Sequence, residues 1–302
     1  MTNNDQAGNI LAENGIAFKR DVLLSEISSF KIGGKADMIV FPKSEEELAL
    51  ALRTAKGLEA RFLAVGNMSN LLFDDAGFSG ILISTKNIRF CEYDGCDLRA
   101  GAGGLLTQLA LEAAEKGLSG LEFGYGIPGT VGGAVFMNAG AYGGEIKDIV
   151  LDSTAYNPES DEFVTLTADE HAFGYRYSAY MDLGLVITSA KLRLEKGDPK
   201  SIKDRMNELM NRRREKQPLE YPSAGSIFKR CEGHYTGQMI EESGLKGLSV
   251  GGAQISEKHA GFIINRGGAT SADVLKLINI IKETVKRNYG VELQCEVRYI
   301  AN

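Results

Sequence analysis

The sequence predicts an α+β protein of two or three packed units, and three observations carry that reading. At 302 residues the chain is too long for one small core. Short apolar runs of strand length alternate with capped amphipathic helices, so neither class dominates. There is no internal repeat and no low-complexity tract.

After a polar lead-in, residues 36–41 read as a strand. Ser44 with Glu47 three positions later has the form of a capping box, and opens a helix that buries Leu48, Leu52 and Ala55. Residues 62–65, 71–73 and 81–84 read as further strands, the first running into Gly66-Asn67-Met68-Ser69-Asn70. A second unit opens near Asp97 with the GAGG of residues 101–104, then a helix that buries Leu105, Leu109 and Ala113 and stops at Gly117. Strands at 149–156 and 185–194 bracket its end. Asp198-Pro199 supplies an N-cap followed by proline at the first helical position, so a charged helix to Lys216 leads into the last unit. The boundary is placed near residue 196, dividing the chain into 1–195, with lobes of about 1–85 and 86–195, and 196–302. In the last unit Thr270 caps a helix burying Val274, Ile278, Ile281 and Val285, ended at Tyr289-Gly290. A final strand, 291–300, alternates apolar and polar residues and leaves Glu296 on the polar face.

A net charge of -6, with 34 basic and 40 acidic residues, gives no electrostatic reason to sit on nucleic acid or on an anionic membrane. The four cysteines, Cys91, Cys96, Cys231 and Cys295, form no metal-ligand or disulfide frame, and no metal is expected. The amino terminus has no signal-peptide pattern and no segment reaches the ~20 apolar residues of a membrane span, so a cytoplasmic location is expected.

Thirteen glycines fall between Gly101 and Gly144. Each costs folding entropy, and a chain keeps such residues where backbone turns tightly or approaches a ligand. Tight turns alone are the plainer account; the density favours a ligand, whose phosphates backbone N–H groups can hold. Gly124, Gly126 and Gly129 match GxGxxG formally, but no β-branched strand precedes them and Pro128 interrupts the helix that the dinucleotide motif requires. Phosphate-loop, nucleophile-elbow and HExxH motifs are absent, and His171, His234 and His259 are scattered.

Several segments together resemble the UDP-N-acetylenolpyruvoylglucosamine reductases. They are KIGGKAD from Lys31, GNMSNLL from Gly66, GIPGTVGGAVFMNAGAYG from Gly126, FGYRYS from Phe173, PSAGSIFK from Pro222, GGAQIS from Gly251, HAGFIIN from His259 and the terminal CEVRYI. The resemblance spans about residues 30–300. It implies a two-lobed FAD-binding domain of the vanillyl-alcohol-oxidase (PCMH) type and a smaller C-terminal α+β substrate-binding domain. FAD would be bound non-covalently, consistent with the lack of His or Cys between Leu98 and Leu151, and NADPH would be co-substrate. By the same resemblance Asn67, Met68, Ser69, Asn70, Gly124, Ile127, Pro128, Gly129, Thr130, Gly133, Ala134, Asn138 and Gly140 approach the cofactor.

The family reduces UDP-N-acetylglucosamine enolpyruvate to UDP-N-acetylmuramate for peptidoglycan. The resemblance makes Arg176 the positive donor to the substrate carboxylate, Ser226 the proton donor and Glu296 the catalytic carboxylate. Tyr175 and Lys229 join Arg176 and Ser226 as substrate contacts. Read without the family, Arg176 is a solvated arginine, Ser226 turn material and Glu296 one of several polar-face residues. Met68 departs from the small residue more usual there, which bears on cofactor affinity. The short interval from Ser178 to Ser223 resembles members lacking an extra tyrosine-bearing loop. A monomer is expected. A flavin oxidase on the same scaffold and a silent flavin- or nucleotide-sugar-binding module are the competing readings.

Overall fold

The computed structural model describes residues 3–231 and 233–302. The chain folds into two compact units. The first comprises residues up to Arg20 together with Asp37–Asn67 and Gly80–Arg212; the second comprises Asp21–Ala36, Met68–Ser79 and Arg213–Asn302.

Two sheets organise the first unit. One has four strands in the order Phe18–Leu23, Lys35–Val40, Phe78–Ser84, Phe62–Val65, with the last two parallel. The helix Glu45–Gly57 covers it, burying Leu48, Leu52 and Ala55 completely. Ser44 caps that helix through Glu47 N–H at 3.2 Å, but the return arm of the expected box lands one residue early, with the Lys43 N–H donating to the Glu47 carboxylate at 2.8 Å. The other sheet is antiparallel and runs Glu162–Thr167, Val150–Asn157, Val186–Arg193, Asp97–Gly101, Cys91–Asp94. Behind it the helices Leu106–Glu115 and Val131–Met137 bury Leu106, Leu109, Ala113, Val131 and Val135. Glu45 joins the two lobes: its carboxylate accepts from Thr188 and Ser189 on one strand and from Arg99 on its neighbour.

Asp97 opens the strand next to the edge of that second sheet. Directly across the ladder, Arg193 grips it with two hydrogen bonds of 2.7 and 3.0 Å, and Lys191 adds an ion pair at 3.1 Å. These cations hold its carboxyl at about 2, below the ordinary 3.8. A carboxyl depressed in the folded state stabilises above the unfolded value and loses that contribution as pH falls towards the folded one. Unfolding midpoints measured from pH 4 down to about 2 are therefore expected to fall less steeply in Asp97→Asn than in the parent protein; identical slopes would remove Asp97 from the acid limb.

The first unit runs on through most of the helix Pro199–Lys216, later than the boundary near 196, because Ile202 and Met206 of that helix are buried with Leu118 and Leu194. Asp198 caps it as expected, accepting from Ser201 N–H at 2.8 Å.

The second unit is built around the helix Ser271–Tyr289 and a three-stranded antiparallel sheet in the order Ser249–Val250, Ala253–Ile255, Ile263–Asn265. Thr270 and Asp273 form the reciprocal capping box, and Val274, Ile278, Ile281 and Val285 are buried. Two early segments join this unit for specific reasons. Asp75 accepts from the N–H groups of Ser271 at 2.7 Å and Ala272 at 3.1 Å, neutralising free donors at the helix start. Asn265 donates to the carbonyls of Phe30 and Lys31, both at 3.1 Å.

The expected strand at 291–300 is shorter than its pattern. Only Arg298–Ile300 forms a strand, paired in parallel with Leu71–Phe73. Upstream the chain is extended beside residues 226–229, until the N–H groups of Glu296 and Val297 both point at the Ile227 carbonyl, at 2.8 and 3.4 Å. Two residues against one is the arrangement of a β-bulge, and it breaks the ladder there. Leu293 and Val297 are buried as the alternation requires.

Candidate active site

Three backbone segments rich in glycine meet in the first unit. Leu106 N–H donates to Gly129 O, Val131 N–H to Gly104 O and Gly132 N–H to Ala102 O, at 3.1, 2.8 and 2.9 Å. Asn67 donates its amide to Pro128 O at 2.6 Å, bringing the end of the Gly66-Asn67 loop to the same place. Thr130 caps the helix Val131–Met137, accepting from Gly133 N–H at 3.4 Å.

The glycines divide into two kinds. Gly101 and Gly103 pack backbone on backbone: a Cβ on Gly103 would lie 2.7 Å from the Lys86 carbonyl carbon and closer still to Thr85 O, while Gly132 packs on Ala102, whose Cβ would lie 3.0 Å from an added one. Gly129 and Gly133 are open. A Cβ there would meet only Ile127 at 3.6 Å and Thr130 at 3.5 Å respectively, and Gly133 is exposed. Open glycine backbone at a helix start, beside exposed Pro128 and half-buried Ile127 and Asn67, suits the phosphates and flat ring of FAD. Thr130, Ala134 and Met68 are buried at 1, 2 and 6 %, and Gly124 is also buried. Met68 itself adopts φ +54°, a left-handed conformation unusual for its side chain.

Asn138 was expected to line the cofactor, but solvent does not reach it. Its amide nitrogen donates to Gly174 O at 2.9 Å and to Glu145 Oε2 at 3.0 Å, while its oxygen accepts from Lys147 N–H at 3.0 Å. Glu145 also pairs with Lys147 at 3.0 Å. Neither Glu145 nor Lys147 was singled out in the sequence; in the structure Glu145 and Asp148 form the capping box of the short helical turn Ile146–Asp148.

Arg176 sits in a two-residue turn whose flanks, Gly174 and Tyr177, exchange backbone hydrogen bonds of 3.1 and 3.3 Å. Its φ of +54° lies where glycine or asparagine is preferred. A bulky residue held there costs roughly 1–2 kcal/mol, a strain found where a side chain must be presented in one direction. The guanidinium donates to Gly140 O at 2.9 Å and lies 5.1 Å from the centroid of the exposed Tyr175 ring. A buried group supports the turn from behind: His171 stacks on Phe173 with 4.7 Å between ring centroids, and Ser153 bonds both His171 Nε2 at 2.6 Å and the Tyr180 hydroxyl at 2.7 Å. Burial pushes the His171 pKa down, so the ring packs as the neutral form.

The second unit brings Ser226 and Glu296 onto adjoining chains. Gly225, at φ +77°, turns the backbone into Ser226, which pairs with Phe262, while Ile227 N–H donates to Gly261 O at 2.9 Å. Glu296 N–H donates in turn to Ile227 O at 2.8 Å. Asn70 donates its amide to Glu296 O at 3.0 Å, and Arg298 N–H donates to Asn70 O at 3.0 Å. Asn70, read as a cofactor contact, therefore also fixes the backbone that carries Glu296. Ser69, Ser226 and Glu296 are all half-buried, accessible to a ligand yet held. Lys229 lies three residues beyond Ser226, its N–H on Gln294 O at 2.9 Å, and no hydrogen bond joins it to the serine. Among the described residues, no cluster of three His, Cys, Asp or Glu could hold a metal ion, and no helix is long and apolar enough to cross a membrane.

A two-lobed unit with open glycine backbone at a helix start, followed by a separate α+β unit, defines a flavoprotein of the FAD-binding class, and residues 36–166 match the family model described as an FAD binding domain. Residues 217–300 match the model described as the C-terminal domain of UDP-N-acetylenolpyruvoylglucosamine reductase. A reductase of that name from Clostridium perfringens (strain SM101 / Type A) is 46% identical over 280 residues, covering 93% of this chain and 92% of its own. Another from Lactobacillus johnsonii is 47% identical over 292 residues, covering 96% and 97%. The crystal structure of the Thermus caldophilus enzyme superposes with a TM-score of 0.80 at 36% identity, over 94% of this chain and 99% of that one. The BBE-like 1 protein of Physcomitrella patens, with a TM-score of 0.51 at 16% identity over 63% of this chain and 44% of its own, shares the fold alone. The chain belongs to the UDP-N-acetylenolpyruvoylglucosamine reductase family.

Proposed function

We propose that this chain reduces UDP-N-acetylglucosamine enolpyruvate to UDP-N-acetylmuramate in peptidoglycan precursor synthesis, using NADPH as reductant and non-covalent FAD. The observation carrying this reading is that whole-chain likeness to reductases of that name coincides with Arg176, Ser226 and Glu296 each on a braced segment. In this reading the cofactor domain takes most of residues 1–195 and runs on to Arg212, and the substrate domain is built on residues 213–302. Soluble nucleotide substrates suit a cytoplasmic monomer.

Bound FAD supplies the two-electron step between NADPH and the enolpyruvyl double bond. Hydride and proton together saturate that bond, and NADPH leaves as the oxidised nucleotide. Negative charge grows on the carboxylate beside the carbon to be protonated. Arg176, permanently charged, offers its planar fork to that carboxylate, an interaction that strengthens as charge develops. Ser226 gives its hydroxyl proton to the adjoining carbon and regains one from solvent. Glu296 orients that exchange from the neighbouring chain. Tyr175 and Lys229 hold the nucleotide sugar, while Asn67, Ser69 and the backbone at Gly129 and Gly133 hold the cofactor.

Purified protein is expected to absorb as oxidised flavin and to release FAD on mild denaturation. A colourless protein that does not take up added FAD would contradict the reading.

A further inference from the structure

We propose that Asn138 is a positioning residue for Arg176 and does not act as a contact to the flavin; this rests on the role for Arg176 given above. The turn that carries Arg176 is tied to one short stretch at three alternate residues. Ser178 Oγ donates to Phe136 O at 2.7 Å, Asn138 donates to Gly174 O at 2.9 Å and Arg176 itself donates to Gly140 O at 2.9 Å. Asn138 is the central tie and the only one of the three made by a side chain of that stretch.

Its own placement is fixed from every side. It ends the helix Val131–Met137 at φ +42°, a left-handed cap position that asparagine tolerates better than other side chains. Its second amide hydrogen goes to Glu145 and its oxygen takes the Lys147 N–H, so both ends of the amide are used and the group is inaccessible. A buried amide satisfied in this way has one orientation, because turning it over would set its NH2 against the Lys147 N–H and its oxygen against two acceptors. The orientation of Asn138 thus sets the height of Gly174, and with it the direction in which a strained Arg176 leaves its turn. Displacing a charge-stabilising group by about 1 Å can cost ~100-fold in rate.

The test uses the full-length flavoprotein and four variants: Asn138→Gly, Asn138→Asp, Arg176→Ala and the double change Asn138→Gly with Arg176→Ala. Glycine keeps the left-handed cap and removes the side chain. Aspartate keeps the shape and sets a carboxylate against Glu145 and the Gly174 carbonyl. Flavin content, flavin reduction by NADPH and anaerobic reoxidation by the enolpyruvyl nucleotide sugar are measured for each. Expected are retained flavin, near-parental reduction by NADPH and ~10- to 100-fold slower reoxidation in both Asn138 variants, with no further loss when Asn138→Gly is added to Arg176→Ala. Loss of FAD affinity with an unchanged rate in the reconstituted enzyme would overturn the proposal, as would equal slowing by Asn138→Gly with and without Arg176. Should Arg176→Ala alone leave reoxidation untouched, the underlying reading of Arg176 fails instead.

Discussion

Ser226→Ala is expected to slow reoxidation of the reduced flavin by the enolpyruvyl substrate by ~10²–10⁴-fold while leaving flavin reduction by NADPH nearly unchanged. The asymmetry follows from where the proton is needed. NADPH delivers hydride without calling on a protein acid, whereas the carbon beside the substrate carboxylate must be protonated to complete the lactyl ether. The alanine should cost little in folding, because Ser226 is half-buried and its segment is held by backbone bonds that alanine also makes. A loss confined to one half-reaction marks an interaction made in the transition state. Stopped-flow traces in which both phases match the parent would exclude Ser226 as the donor.

Gly103→Ala is expected to destabilise the first unit by about 3 kcal/mol, near the upper end for overpacking, because the atoms it would strike belong to backbone. The new Cβ would press on Thr85 O and stand 2.7 Å from the Lys86 carbonyl carbon, and Gly103 N–H is itself bonded to Ile88 O at 3.0 Å. For a unit of this size the melting temperature should fall by roughly 6–12 °C. Flavin should be lost with it, since the neighbouring Gly104 and Ala102 carbonyls hold the start of the helix Val131–Met137. An unchanged melting temperature would show that the turn yields more easily than its packing implies.

Elements with a local signal were legible in the sequence. Thr270, Ser44 and Asp198-Pro199 each start a helix where the capping chemistry places it, since a cap uses only residues a few positions apart. The helix Asn3–Glu13 was hidden in a polar lead-in because its inward face offers little beyond Ala7, Gly8 and Leu11. The final strand read too long because alternation says which residues face inward, not which chain they pair with; the shared Ile227 carbonyl moves pairing to Leu71–Phe73.

The candidate site shows the same division. Glycine density pointed to the stretch from Gly101 to Gly144, yet it could not separate Gly103, which needs a missing Cβ to pack, from Gly133, whose open face suits a ligand. Arg176, Ser226 and Glu296 became distinguishable only through the resemblance, because nothing in their spacing sets them apart. The interior position of Asn138 was invisible, since its partners Gly174 and Glu145 lie 36 and 7 residues away.

The most direct test of the whole account is anaerobic. Enzyme reduced with one equivalent of NADPH is mixed with UDP-N-acetylglucosamine enolpyruvate in the absence of oxygen. The account predicts that flavin absorbance returns as UDP-N-acetylmuramate forms in equal amount. Flavin that stays reduced until oxygen is admitted would contradict it and would favour an oxidase on the same fold.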